Sequence, residues 1–132
     1  MRLFSVAAVL VLFGAGVAVA QVSGSSPSCG SISGKTTADL QNVRTFCQRG
    51  IPEGVSVGAY AMETLLVVKV TRSMADGIRA DRISGEQLVR TWMRGWKQIT
   101  ESTAVTVYVK WQDVEIAEGQ TTLFGGDEVT IR

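Results

Sequence analysis

The sequence predicts an α+β fold: a mainly antiparallel sheet of about four strands, one long helix packed on one face, and a disulfide-tethered N-terminal helix. Three observations carry this reading. Leu88, Val89, Trp92, Met93, Trp96 and Ile99 recur at the spacing of one helical face. Apolar β-branched runs flank that helix on both sides, Glu63 to Thr71 before it and Val105 to Trp111 after it. The chain has only two cysteines, Cys29 and Cys47, the second near the end of another helical segment.

In chain order, residues 1–20 read as a secretory signal peptide: Arg2, an apolar core from Leu3 to Val19, and Ala18-Val19-Ala20 as a small-x-small cleavage site. The apolar run is short for a permanent anchor, so no stable membrane span is expected after cleavage. Residues 21–35 are rich in Ser and Gly and contain Pro27, which reads as a flexible lead-in. Residues 36–132 then form a single small domain.

Within it, Thr36 and Asp39 are spaced as a capping box for a helix that ends by Arg49, ahead of Gly50 and Pro52, with Leu40, Val43, Phe46 and Cys47 on one face. Val55 to Met62 alternates weakly and is interrupted by Gly58, consistent with a separate edge strand or an extended lead into the next one. Glu63 to Thr71 is apolar on both parities, as an interior strand is. Ser73 to Asp81 reads as a short helix capped by Ser73. Ser84 to Ile99 is the long helix, with Ser84 as cap, Gln87 reaching back and Ile83 stapled to Leu88. Val105, Val107, Val109 and Trp111 alternate with polar residues, and the slip in parity before Val114 and Ile116 places a turn at Gln112 and Asp113. Glu118-Gly119 and Gly125-Gly126-Asp127 mark further turns around short strands at Gln120 to Phe124 and at Val129 and Ile131.

An exported chain with two cysteines most simply forms one disulfide, Cys29 to Cys47, which would pin the loose N-terminal segment. The spacing is not Cys-x-x-Cys, so a redox role is not favoured. The chain has 13 basic and 12 acidic residues, and removal of Arg2 with the signal leaves 12 of each. That balance provides no global field to attract nucleic acid or an anionic membrane. The charge is uneven all the same: Lys69 to Lys97 carries seven basic residues, and Asp113 to Glu128 carries five acids and no base.

Histidine is absent, which removes Ser-His-Asp and Cys-His nucleophilic systems together with His-based metal and haem sites. No phosphate loop, dinucleotide fingerprint or calcium loop occurs, and no cofactor or metal is expected. Paired carboxylates remain as one catalytic option, from Asp76, Asp81 and Glu86 or from Asp113, Glu115 and Glu118, although basic neighbours suited to satisfying them favour a structural role. Arg90, Arg94 and Lys97 lie at three-to-four spacing and are the candidate contact for an anion or a partner, against the plainer reading of a solvated helix face. Trp92 and Trp96 are expected in the core.

The order helix, strand, helix, strand, strand is similar to that of the BON domain, a small periplasmic module associated with phospholipid contact. The Gly-x-Val pattern of that domain's strands is missing here, so the likeness ends at element order. The expectation is an exported, periplasmic or extracellular, non-catalytic binding module of a bacterial envelope. Its partner would be an envelope protein or a small ligand. The alternative is a small carboxylate-dependent hydrolase of saccharide or peptidoglycan. A homodimer paired through terminal strands is compatible with either.

Overall fold

The structure, a computed structural model, describes residues 21–132; the signal-peptide reading concerns residues 1–20 and lies outside them. Ten elements follow in order: β1 (Val22–Ser26), β2 (Gly30–Gly34), α1 (Thr37–Gly50), β3 (Ser56–Met62), β4 (Leu65–Val70), α2 (Arg72–Ala80), α3 (Arg82–Thr100), β5 (Thr106–Trp111), β6 (Val114–Thr121) and β7 (Asp127–Ile131). The seven strands form one sheet in sequence order, β1 to β7. Pairing is parallel at β2–β3 and β4–β5 and antiparallel elsewhere. The architecture is thus hairpin, helix, hairpin, helix pair, meander, and each parallel junction is bridged by a helical crossover.

The expected four-stranded, mainly antiparallel sheet with one long helix is therefore corrected to a seven-stranded mixed sheet with three helices. Two misreadings account for most of the difference. The Ser- and Gly-rich segment at 21–35 is a β-hairpin rather than a flexible lead-in, and the ambiguous Val55 to Met62 stretch is an interior strand rather than an edge.

The hairpin holds because its inward positions need little bulk. Register aligns Gly24, Ile32, Ala59, Val68, Val109, Ala117 and Ile131 in one row across the sheet, and Gly34, Ala61, Leu66, Val107, Gly119 and Val129 in the next. These rows are the floor on which the helices lie. Gly34 makes room for α1, since a Cβ there would sit 2.5 Å from the Leu40 amide nitrogen. Gly119 does the same for α3, where a Cβ would meet Met93 Sδ at 2.6 Å. The Cys29–Cys47 disulfide joins the hairpin to α1 with a Cα separation of 5.7 Å, as expected from the sequence.

All helical packing falls on that one face. Phe46 of α1 meets Trp92 and Trp96 of α3 edge-on, at ring separations of 6.4 and 5.9 Å. Leu40, Val43, Phe46 and Cys47 are buried on α1 as expected, as are Val89, Trp92, Met93 and Trp96 on α3, while Leu88 and Ile99 of the expected α3 face are partly buried. Capping is confirmed for α1, where Thr36 and Asp39 form the reciprocal box. For α3 it is corrected: Asp81, not Ser84, is the cap and accepts from the Ser84 amide, and Ile83 is exposed rather than stapled. Likewise Thr71, not Ser73, caps α2. In each case a capping side chain two or three residues upstream started the helix earlier. The Gln112–Asp113 turn is confirmed, with Gln112 at φ 54°, and a bulge opposite Val109 and Lys110 completes the shift in parity.

Candidate functional site

Helices cover one face of the sheet; among the described residues no element covers the other. A row of side chains crosses this open face in register: Ser23, Ser33, Tyr60, Val67, Tyr108, Glu118 and Thr130. Beside it runs Ser31, Gly58, Lys69, Lys110 and Glu115. The first row sets two half-buried tyrosines on either side of Val67. The second places two lysines directly opposite each other on adjacent strands, at the sheet spacing of about 4.8 Å between backbones.

The relief of this face comes from a bulge in β3. Ladder register shifts between Ser56 and Gly58, so Val57 is expelled to the surface. The buried Ser56 hydroxyl holds the distortion: its Oγ accepts from the Gly58 amide at 3.2 Å and lies 2.9 Å from the Lys69 carbonyl, to which it donates. Gly30 fits beneath at φ 75°, where a Cβ would fall 2.7 Å from the Val57 carbonyl oxygen. Because Gly58 presents no side chain outward, a hollow of about 200 Å³ opens among Ser31, Ser33, Tyr60 and Lys69. A second hollow of about 370 Å³ shares Val57 and Lys69 with the first and continues over the strand ends to Arg72, Trp111 and Gln112. There the Arg72 guanidinium lies 5.8 Å from the Trp111 ring centre.

The electrostatics of this region are unbalanced. Among the described residues neither Lys69 nor Lys110 has a carboxylate within 4.0 Å. Glu115, the neighbour of Lys110 on β6, is taken instead by Arg132, which also binds Glu118 at 2.9 Å. Arg72 makes only a loose 3.9 Å contact with Asp76, both side chains being largely exposed. Like charges directly opposite on neighbouring strands are unfavourable. An anion between them would relieve that repulsion.

The candidate cations of the long helix sit elsewhere. Lys97 Nζ binds both oxygens of Asp127, at 2.8 and 3.0 Å, and Arg90 donates to the Asp127 carbonyl and approaches Glu86 at 3.9 Å. These two therefore tie α3 to β7. Arg94 is exposed and reaches only the Thr91 hydroxyl, at 3.3 Å. Burial works to raise the Asp127 pKa, but hydrogen bonds from Lys97 and Thr121 and the charges of Lys97 and Arg90 outweigh it and hold the carboxyl below its usual value. A depressed folded pKa contributes stability above the unfolded carboxylate pKa of about 3.9, and that stability is lost as pH falls through the folded value. Asp127→Asn is accordingly expected to cost about 1–3 kcal/mol at neutral pH in urea unfolding, and the deficit is expected to shrink as pH falls below the unfolded carboxylate value of about 3.9.

Two further carboxylates are similarly occupied. Asp39 accepts from the Thr36 and Glu63 amides at 3.2 and 3.0 Å. Asp81 accepts from the Ser84 amide and hydroxyl, which lower its pKa, the direction opposite to that of a general acid. Among the described residues no three metal-ligating side chains converge, and no helix is long and apolar enough to cross a membrane.

Lys69, Lys110, Arg72, Tyr60 and Tyr108 were not singled out by sequence. Lys69 did carry a signal, as the one charge inside an otherwise apolar run, but pairing it with Lys110 requires the register of two strands separated by two helices. Comparison of the chain with protein-family models, curated proteins and solved structures returns no match.

Proposed function

We propose that this chain is an exported, non-catalytic binding module of a bacterial envelope that holds an anionic saccharide on the open face of its sheet. The observation that carries the reading is the unneutralised Lys69–Lys110 pair beside the bulge hollow. Lys69, Lys110 and Arg72 supply charge to hold a carboxylate or phosphate. Tyr60 and Tyr108 offer ring surface to the apolar faces of sugars, and Ser31 and Ser33 offer hydroxyl partners. Export rests on the signal-like residues 1–20 and accords with the disulfide.

Titration of the protein with an acidic oligosaccharide and its neutral parent, followed by NMR chemical shifts, tests the proposal. The acidic sugar is expected to shift resonances of β3, β4 and β5 with an affinity that falls as salt rises. Lys69→Ala combined with Lys110→Ala is expected to weaken binding at least tenfold while leaving folding intact. Equal binding of both sugars, or shifts confined to the helical face, would refute it.

A further inference from the structure

Two unpartnered apolar features of the surface lie on different elements of the fold. Leu123 and Phe124, at the tip of the β6–β7 connection, are 100% and 98% exposed. Isolated apolar residues on a surface are ordinary, but an adjacent Leu-Phe pair wholly in water at a hairpin tip is a ready-made knob. On the helical layer, a groove of about 220 Å³ opens between α1 and α3, with Phe46, Gly50, Trp92, Gly95 and Ile99 among its walls. Gly50 and Gly95 leave it open. An apolar cavity of roughly 150 Å³ is enough for a benzene ring.

Charge selects the occupant. Of the acids on this hairpin, Glu115 and Glu118 are bound by Arg132 and Asp113 lies at the far end of β6, so the charge beside the tip rests on Asp127 and Glu128. Asp127 beside it is neutralised by Lys97, whereas Glu128 is exposed with no cation within 4.0 Å. The groove carries the opposite sign. Arg49 lines it, Arg94 is bonded to its wall residue Thr91, and neither arginine has a carboxylate within 4.0 Å among the described residues.

The sheet edges, the usual route to self-association, are partly capped by arginines. Arg132 N–H bonds inward to the Ile116 carbonyl, so ladder alternation turns the carbonyls of Asp127, Val129 and Ile131 to the free side of β7. Arg90 and Arg82 cap the first and last of these, and Arg44 caps Ser25 on β1.

We infer that a second copy of this chain inserts its Leu123–Phe124 tip into the α1–α3 groove, giving a head-to-tail assembly. Because knob and hole lie on different surfaces, the contact is heterologous and propagates into a ring or a short filament unless one surface is removed.

Sedimentation velocity of the purified protein over a wide concentration range, with folding checked by circular dichroism, tests this. Wild type is expected to rise above monomer mass as concentration increases. Phe124→Ser, which alters only a fully exposed side chain, is expected to remain monomeric, as is Gly95→Leu, which fills the groove. An equimolar mixture of the two variants is expected to form dimers and nothing larger, since each retains one competent surface. Arg49→Glu is expected to weaken association, and adding Glu128→Arg to restore it in part. A monomeric wild type, unchanged association of Phe124→Ser, or a mixture that stays monomeric would overturn the inference. So would tip-dependent binding to zwitterionic vesicles by a protein that does not self-associate, which would give the tip to a lipid surface.

Discussion

Reducing the Cys29–Cys47 bond is expected to lower the stability of the protein by about 3 kcal/mol, as the loop-closure estimate gives for a loop of this size. The loss should be local before it is global. The β1–β2 hairpin gives the core little besides Ile32 and Cys29, with Val22 only partly buried at its far end. Apart from the β2–β3 ladder and packing on α1, it is tied by the Arg44 bond to the Ser25 carbonyl and the Ser56 bond to the Cys29 carbonyl, at 3.0 and 3.3 Å. Hydrogen exchange of the reduced protein should therefore show β1 and β2 unprotected while β4 and β5 remain slow. Uniform loss of protection throughout the sheet would mean that the hairpin and the core unfold as one unit. The same experiment bears on the proposed site, because Ser31 and Ser33 belong to β2 and should leave the hollow when it frays.

That hairpin also marks the boundary of what was legible in the sequence. Segments with strong periodicity declared themselves: the buried faces of α1 and α3, the alternation of β5 and the turn at Gln112 all follow from side chains that must leave water. The segment from Gln21 to Lys35 did not, because Gly24 and Gly34 are inward residues chosen for closeness to a helix. Apolarity is absent where a helix backbone takes the space, so a composition that suggests disorder can equally describe a strand lying under Asp39 and Leu40. β3 was obscured in the same way, by Ala59 and Ala61 inside and by the bulge at Val57. Once four strands became seven, the terminal segments turned from appendages into edges, and an arginine from a helix stood against each.

The candidate site was less legible than the fold for a related reason. Arg90 and Lys97 drew notice by spacing along one helix, and spacing is what a sequence displays. The structure uses them to fasten β7 to α3. Lys69 and Lys110 are 41 positions apart in the chain and meet only through parallel register. Function on an open sheet face is written across strands, where a linear reading sees single polar residues at alternate positions.

Trp96→Ala is expected to cost about 3–5 kcal/mol, a large fraction of the roughly 5–15 kcal/mol available to a domain of this size. Trp96 fills the space between α3 and the sheet and stands edge-on to Phe46. Its indole N–H donates to the Thr64 carbonyl at 2.9 Å, and the same carbonyl accepts from the Thr106 amide at 3.2 Å. One oxygen thus joins the long helix, the β3–β4 turn and the start of β5. Trp92 is equally buried and meets the same phenyl ring, but its N–H has no partner. Replacement by Phe separates the two contributions. Trp96→Phe should lose a part-buried hydrogen bond and leave the Thr64 carbonyl with the Thr106 amide alone, about 1 kcal/mol beyond the change in volume, whereas Trp92→Phe removes a donor that was already unsatisfied and should be the milder variant. Urea unfolding of the pair with unchanged m-values checks the ranking. If Trp92→Phe proved the costlier, the indole of Trp92 would have to possess an acceptor in solution, and the α1–α3 groove it lines would be the place to look for it.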